Sequence, residues 1–357
     1  MTTPFLMTPF ALKLSSCQAL VTLALLPCVA VAQWTTQSST TAADLHGISA
    51  VSSRVAWASG TRGTVLRTID AGTTWHADTV PGAAALDFRD IEAFDARRAY
   101  VLSIGNGSAS RIYKTVDGGR NWSLQFTNSD TTAFFDCLAF WDAEHGMAVS
   151  DPVRGRFVVL TTSNGGRTWS PLDSSAAPEA RDGEGAFAAS GTCVVAGGSR
   201  TAWIATAFGA RVLRTQDRGR HWHEATTPLA SGAPAKGVFS LAMRDLRHGV
   251  AVGGDYEHPL DTTRVAAYTT DGGETWTPAE GSPGGYRSGA AWIPGRPNTV
   301  VAVGTSGSDM STDGGRTWRA LDDTNLNAVS FARDGAGWAV GPRGTIVRWR
   351  APPVEKR

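Results

Sequence analysis

Short apolar-polar alternations recur along the chain and predict β-strands: Arg54–Ala58 (RVAWA), Ala99–Leu102 (AYVL), Gly146–Val149 (GMAV), Ala202–Ala205 (AWIA), Gly249–Val252 (GVAV) and Thr299–Val303 (TVVAV). Each is followed by a second strand, as in Thr64–Thr68 (TVLRT), Arg111–Thr115 (RIYKT) and Arg211–Thr215 (RVLRT). No convincing amphipathic helix interrupts them. The second strands run into one recurring motif: Thr/Ser, any residue, Asp/Asn, any, Gly, any, any, Trp. Its six copies are Thr68–Trp75, Thr115–Trp122, Thr162–Trp169, Thr215–Trp222, Thr269–Trp276 and Ser311–Trp318, with successive Trp spacings of 47, 47, 53, 54 and 42 residues. That period is the length of a four-stranded propeller blade.

The motif reads as a structural turn. Asp70, Asp117, Asn164, Asp217, Asp271 and Asp313 each supply a side chain that bonds nearby backbone N–H groups, and the glycine supplies a positive φ. One acid per turn is too few for a calcium cage, so no metal is expected there. A seventh copy at the C-terminus, Gly337–Gly341 and Gly344–Arg348, has strands but no box. Its missing outer strand matches Gln33–Thr36 (QWTT) at the other end of the chain. The prediction is an all-β, seven-bladed propeller whose last blade is closed by the N-terminal strand, which hides a sheet edge.

Composition agrees. The 357 residues include 40 Gly and 13 Trp but only 18% charged groups, as suits a turn-rich all-β repeat protein. With 33 basic and 32 acidic residues, the chain lacks the basic bias of a nucleic-acid binder. The first 32 residues read as a signal peptide: Lys13, an apolar run from Ala19 to Ala32, and an Ala30-Val31-Ala32 cleavage site before Gln33. The expected organisation is a leader at 1–32, a single propeller at 33–350 and a tail at 351–357. Export leaves Cys137 and Cys193, and an oxidising compartment permits either a disulfide or two free thiols.

These boxes resemble those of BNR or Asp-box propellers. With seven blades and export, the chain is similar to photosystem II assembly and stability factor-like propellers and their bacterial relatives, some of which carry an oxidoreductase label. Stretches resembling the bacterial relatives lie between the boxes, among them Asp87–Phe94, Phe135–Cys137, Ser150–Pro152, Gly183–Gly185 and Phe187–Thr192. The resemblance implies fold more than function, because the boxes sit on outer turns. Sialidases share the box, but their Phe/Tyr-Arg-Ile/Leu-Pro motif is absent before the first box, and Phe88-Arg89-Asp90 follows it without a proline.

Candidate chemistry lies on the inner strands. Aligning them by repeat gives a polar column: His46, Arg89, Asp136, Glu184, Arg287 and Asn327, with Lys236 the less defined member in blade 5. Two readings stay open. The column solvates the channel, with Arg89 and Arg287 neutralised by Asp136 and Glu184. Or it binds an anionic or polar ligand, since arginines fork onto carboxylate or phosphate. Catalysis would fall to Asp136 and Glu184 as a glycosidase-like carboxyl pair. No dinucleotide fingerprint, phosphate loop or His-Glu-x-x-His occurs, so no cofactor is implied. The balance is against an enzyme. The expectation is an exported, monomeric, non-catalytic binding or assembly propeller. Its partner is an envelope protein, a glycan or a polar small molecule, met at the central channel, with no membrane span after leader removal.

Overall fold

The computed structural model describes residues 1–3 and 33–350. The chain divides into a leading unit, Met1–Val31, and a second unit, Ala32–Arg357, and the fold is that of the second. The leader expected at 1–32 and the tail at 351–357 lie outside the described residues, save for the first three.

Among the described residues, seven four-stranded antiparallel sheets follow one another around a ring. Their inner strands are Leu45–Ala50, Phe88–Ala93, Phe135–Phe140, Val194–Gly197, Lys236–Met243, Gly289–Trp292 and Ala328–Phe331, for blades 1 to 7. The one helical element described is a 3-10 turn at Gly107–Ala109. Blades 1 to 6 each come from consecutive strands. Blade 7 is completed from the far end of the chain, as the sequence predicts: Trp34–Gln37 pairs antiparallel with Ile346–Trp349, Trp34 opposite Trp349.

Local and long-range contacts hold this closure together. The Gln37 side-chain oxygen accepts bonds from the indoles of Trp75 in blade 1 and Trp338 in blade 7, each at 3.0 Å. The Trp34 indole donates to Ser308 Oγ of blade 6 at 3.1 Å. Removing the first strand would strip one edge of blade 7 and unpair these indoles together.

Every box folds by one local mechanism. In the first, the buried Thr68 hydroxyl accepts the Gly72 N–H at 2.8 Å and donates to Asp70. Asp70 accepts the N–H of Thr74 at 2.9 Å and its hydroxyl at 2.7 Å. The same i to i+4 bond recurs at Asp117–Asn121, Asn164–Thr168, Asp217–His221, Asp271–Thr275 and Asp313–Thr317. Donation to the carboxylate holds Asp70, Asp117, Asp217 and Asp271 at about 2. Box Trp75, Trp169 and Trp276 are buried, where each ring removes a large apolar area from water.

The cysteine question resolves as a disulfide. Cys137 and Cys193, 6.0 Å apart at Cα, join blades 3 and 4 across the inner wall.

Candidate functional site at the propeller axis

The register of each blade can be counted inward from its box. The box Thr or Ser faces Ala56, Ala99, Gly146, Ala202, Gly249 or Val300 on the neighbouring strand. Those residues in turn face Ala50, Ala93, Phe140, Ala196, Met243 and Trp292 on the inner strand. In blades 1, 2, 3 and 5 the ladder then skips one residue, leaving His46, Arg89, Asp136 and Phe239 unpaired as β-bulges. A bulge frees its residue from the ladder and re-aims the side chain.

This register keeps His46, Arg89, Asp136 and Asn327 in one column and corrects the other three assignments. The equivalent positions are Thr192 in blade 4, Phe239 in blade 5 and Ser288 in blade 6. Glu184 lies in the loop before the blade 4 inner strand. Lys236 begins the blade 5 inner strand and pairs with Asp255 at 3.7 Å. Arg287 stands one residue before the column. Apparent triplet similarity failed here because length differences and bulges shift the phase that the ladder fixes.

The ion pairs also differ from the expected ring. Arg287 is buried against Asp309, with Nε to Oδ2 at 2.6 Å, and its Nη1 donates to Ser306 Oγ and Tyr286 O. Glu184 is buried against Arg211, with Nε to Oε1 at 2.8 Å and a second guanidinium contact to Oε2. It also accepts from the Thr206 hydroxyl and the Arg181 N–H. Burial alone pushes Glu184 up, but these donors outweigh it and hold the carboxylate low. Arg89 bonds Asp87 at 2.8 Å and Ala188 O at 3.3 Å. The Asn327 amide donates to Leu45 O at 2.8 Å and stands 3.3 Å from His46 Nδ1. Burial, then the charge of Arg89, lowers His46 to about 4, so the imidazole is neutral at pH 7.

Asp136 is wholly buried and its Oδ2 has no hydrogen-bond partner. Burial, reinforced by Asp151, pushes it well above the usual carboxylate range. Asp136 is therefore enclosed and Glu184 is saturated by donors. The two do not face each other across an open cleft as a hydrolytic pair requires.

The loop before the blade 4 inner strand crosses the axis. Phe187 stacks on Phe239 of blade 5 with centroids 3.6 Å apart. Ala188 reaches Arg89 of blade 2, and Ser190 Oγ donates to Ser288 O of blade 6 at 2.7 Å. Gly191, at φ +77°, lies so close to Asp90 of blade 2 that any Cβ would collide with its carboxylate. Only glycine satisfies both the backbone angle and that approach. The disulfide at Cys193 fastens the end of this plug to blade 3.

Beyond the plug, toward the ends of the inner strands, the channel opens as a funnel of about 760 Å³ with Ser190, Gly191 and Thr192 among its lining residues. The column Ser49, Glu92, Ala139, Val195, Ala242, Ala291 and Ser330 lines it. Six of these seven side chains are small, and that leaves the space open. Ser49 and Ser330 accept the N–H groups of Ala93 and Ala50, stitching blade 1 to its neighbours. Glu92, half-buried in the wall, makes no hydrogen bond and no ion pair with a described residue. Its surroundings desolvate the carboxyl and push it up to about 7. Phe140, Trp292 and Phe331 line the same funnel at the next level outward, with Arg244 beside them. Arg244 is held by Pro297 O, Asn298 and Asp245 and lies 5.7 Å from the Trp292 ring centre. Glu92 lies within the Asp87–Phe94 stretch noted from sequence, but the polar column drew attention to its neighbour Arg89 instead.

Among the described residues, no group of three or more His, Cys, Asp or Glu side chains could hold a metal ion, and no helix is long and apolar enough to cross a membrane. Comparison with known proteins bears on the fold. The BNR/Asp-box repeat model matches residues 267–278, the fifth box. No curated protein matches the sequence. Among solved structures, YCF48 bound to D1 peptide is similar at TM-score 0.65 and 15% identity, covering 90% of this chain and 96% of that one. YCF48 from Cyanidioschyzon merolae is similar at TM-score 0.65 and 18% identity, covering 89% and 99%. The Neurospora crassa Pan2 WD40 domain reaches 0.61 at 10% identity, covering 90% and 96%. At such identities the likeness is one of architecture. Six boxes with one shared hydrogen-bond pattern, on seven four-stranded blades, make this fold a seven-bladed β-propeller with Asp-box turns, the fifth of which matches the BNR/Asp-box repeat model.

Proposed function

We propose that this chain is a non-catalytic binding propeller that receives a segment of a partner protein at the mouth of its axial funnel. The observation that carries the reading is the funnel itself: about 760 Å³, lined by small and apolar side chains together with Glu92, Arg244 and Arg296, with the plug residues at its base. A large concavity that combines apolar walls with a set of placed polar groups is the usual form of a binding site. A peptide partner is in keeping with the neighbouring structure described as YCF48 bound to D1 peptide. The arginines expected to grip an anion at the axis are already engaged, Arg287 by Asp309 and Arg89 by Asp87. An anionic ligand would therefore have to displace internal partners.

We further infer that the propeller works outside the cytoplasm, on an envelope protein. The leader-like residues 1–32 and the Cys137–Cys193 disulfide support this, because such bonds persist in oxidising compartments. A photo-crosslinking residue at Ser330, in the funnel wall, should capture a discrete protein from envelope extract. The same residue at exposed Thr73, in the first box, should not. Capture from Thr73 alone would move the binding surface to the outer rim and end the axial reading.

A further inference from the structure

The funnel contains a charge that its own blades leave unanswered. At the Glu92 level the other six blades place Ser, Ala or Val. The nearest acid, Asp90, is buried and occupied, accepting the Leu138 N–H at 2.6 Å. Two cations line the mouth: Arg244, tied to Asp245, Pro297 and Asn298, and Arg296, which forms no ion pair with Glu92. An uncompensated carboxylate in a poorly solvated wall is costly unless something pairs with it.

Given the axial docking reading, we propose that the funnel is a socket for one lysine or arginine side chain of the partner protein, with Glu92 as its counter-ion. The shape fits that guest. A long basic side chain lays an apolar stem along apolar walls and carries its charge at the tip. Ile48, Val194, Leu241 and Val329 line the funnel, Phe140, Trp292 and Phe331 stand at the level where the stem enters, and Glu92 stands one residue deeper on its strand. Aromatic faces near the entrance also favour a passing cation. A bare metal ion fits poorly, since a single free carboxylate on an apolar wall supplies too few oxygens. An acidic side chain would meet Glu92 as a like charge.

The test uses the N-acetyl methylamides of lysine, arginine, norleucine and glutamate as probes of the intact protein, read by saturation-transfer NMR. The lysine and arginine probes should bind saturably, at least tenfold tighter than norleucine, and glutamate should not bind. Glu92→Gln should erase that preference while thermal unfolding stays cooperative. Equal binding of norleucine and lysine, or an unchanged preference in Glu92→Gln, would overturn the proposal. If Glu92→Gln does not fold, Ser330→Trp serves instead: it narrows the funnel and leaves Glu92 in place, so basic-probe binding must fall at least tenfold or the socket lies elsewhere. The underlying reading fails separately. Crosslinking from Ser330 with no basic preference rejects only the socket, whereas loss of crosslinking from Ser330 rejects axial docking.

Discussion

The two ends of the axis contrast. At the end where the inner strands begin, charged groups are numerous and, apart from the enclosed Asp136, matched within the protein. Arg287 has Asp309, Glu184 has Arg211, Arg89 has Asp87, and His46 is held neutral beside Asn327. At the end where they finish, small residues leave a cavity open, and the one acid of its column, Glu92, has no partner. The comparison teaches that density of charge is a poor guide to a binding site. Charges satisfied within the protein contribute to its architecture; an open cavity with an unmatched group is where a ligand gains most.

The largest expected effect breaks the first half of the contrast. Arg287→Ala leaves Asp309 buried and unpaired, and Arg211→Ala does the same to Glu184. Each should cost roughly 3–5 kcal/mol, the usual penalty for removing one partner of a buried pair, measured by urea unfolding. Glu92→Gln, at the other end, should raise stability at pH 7 and not lower it, because it removes a carboxyl that burial pushes up to about 7. A cost below about 1 kcal/mol for both arginine variants would mean those pairs are not structural, and the contrast would collapse.

A smaller effect tests the plug that separates the two ends. The disulfide spans a sequence separation of 56 residues. Replacing both cysteines, Cys137→Ala with Cys193→Ala, should cost about 2–4 kcal/mol. The same variant should abolish the fall in Tm that a dithiol reductant produces in the natural chain. Faster amide exchange at Ala188 to Thr192 in that variant would show that the bond fastens the plug. Unchanged exchange would assign that task to Phe187 and Ser190 alone.

The smallest effect concerns the boxes, away from both ends, and sets a baseline. Their aspartates are held at about 2, below the ordinary value near 4. A depressed folded-state pKa gives stability that is present above the unfolded value and lost as pH falls through the folded one. Acid should therefore weaken the fold between about pH 4 and 2. Asn164 shows that an amide can hold the same turn. Asp271→Asn should thus flatten the acid limb slightly while leaving Tm at pH 7 nearly unchanged. An Asp271→Asn chain as acid-sensitive as the natural one would show that this box carboxylate does not set the limb.

Much of the fold was legible because its signals are local. The box bonds span four residues, so Thr68, Asp70 and Gly72 announce their turn wherever the chain places it. Closure was legible because Trp34 repeats the box tryptophan and the last blade visibly lacks its outer strand. The axial column was only partly legible. His46, Arg89, Asp136 and Asn327 aligned, but Thr192, Phe239 and Ser288 did not, because a bulge or a longer loop changes phase without altering composition. One signal was available: a bond between Cys137 and Cys193 places Thr192, not Glu184, level with Asp136.

By itself, then, the sequence determined the number of blades, the turns that end them and the strand that closes the ring. Each rests on contacts between near neighbours or on a missing unit of a repeat. Only the tertiary structure decided which charges are spent and which are left free. Arg89 meets Ala188 and Ser190 meets Ser288 across nearly a hundred residues of chain. Glu92 is left unpaired because six other blades bring small residues to its level. Such pairings depend on the register of every blade at once, and no single stretch of sequence carries that information.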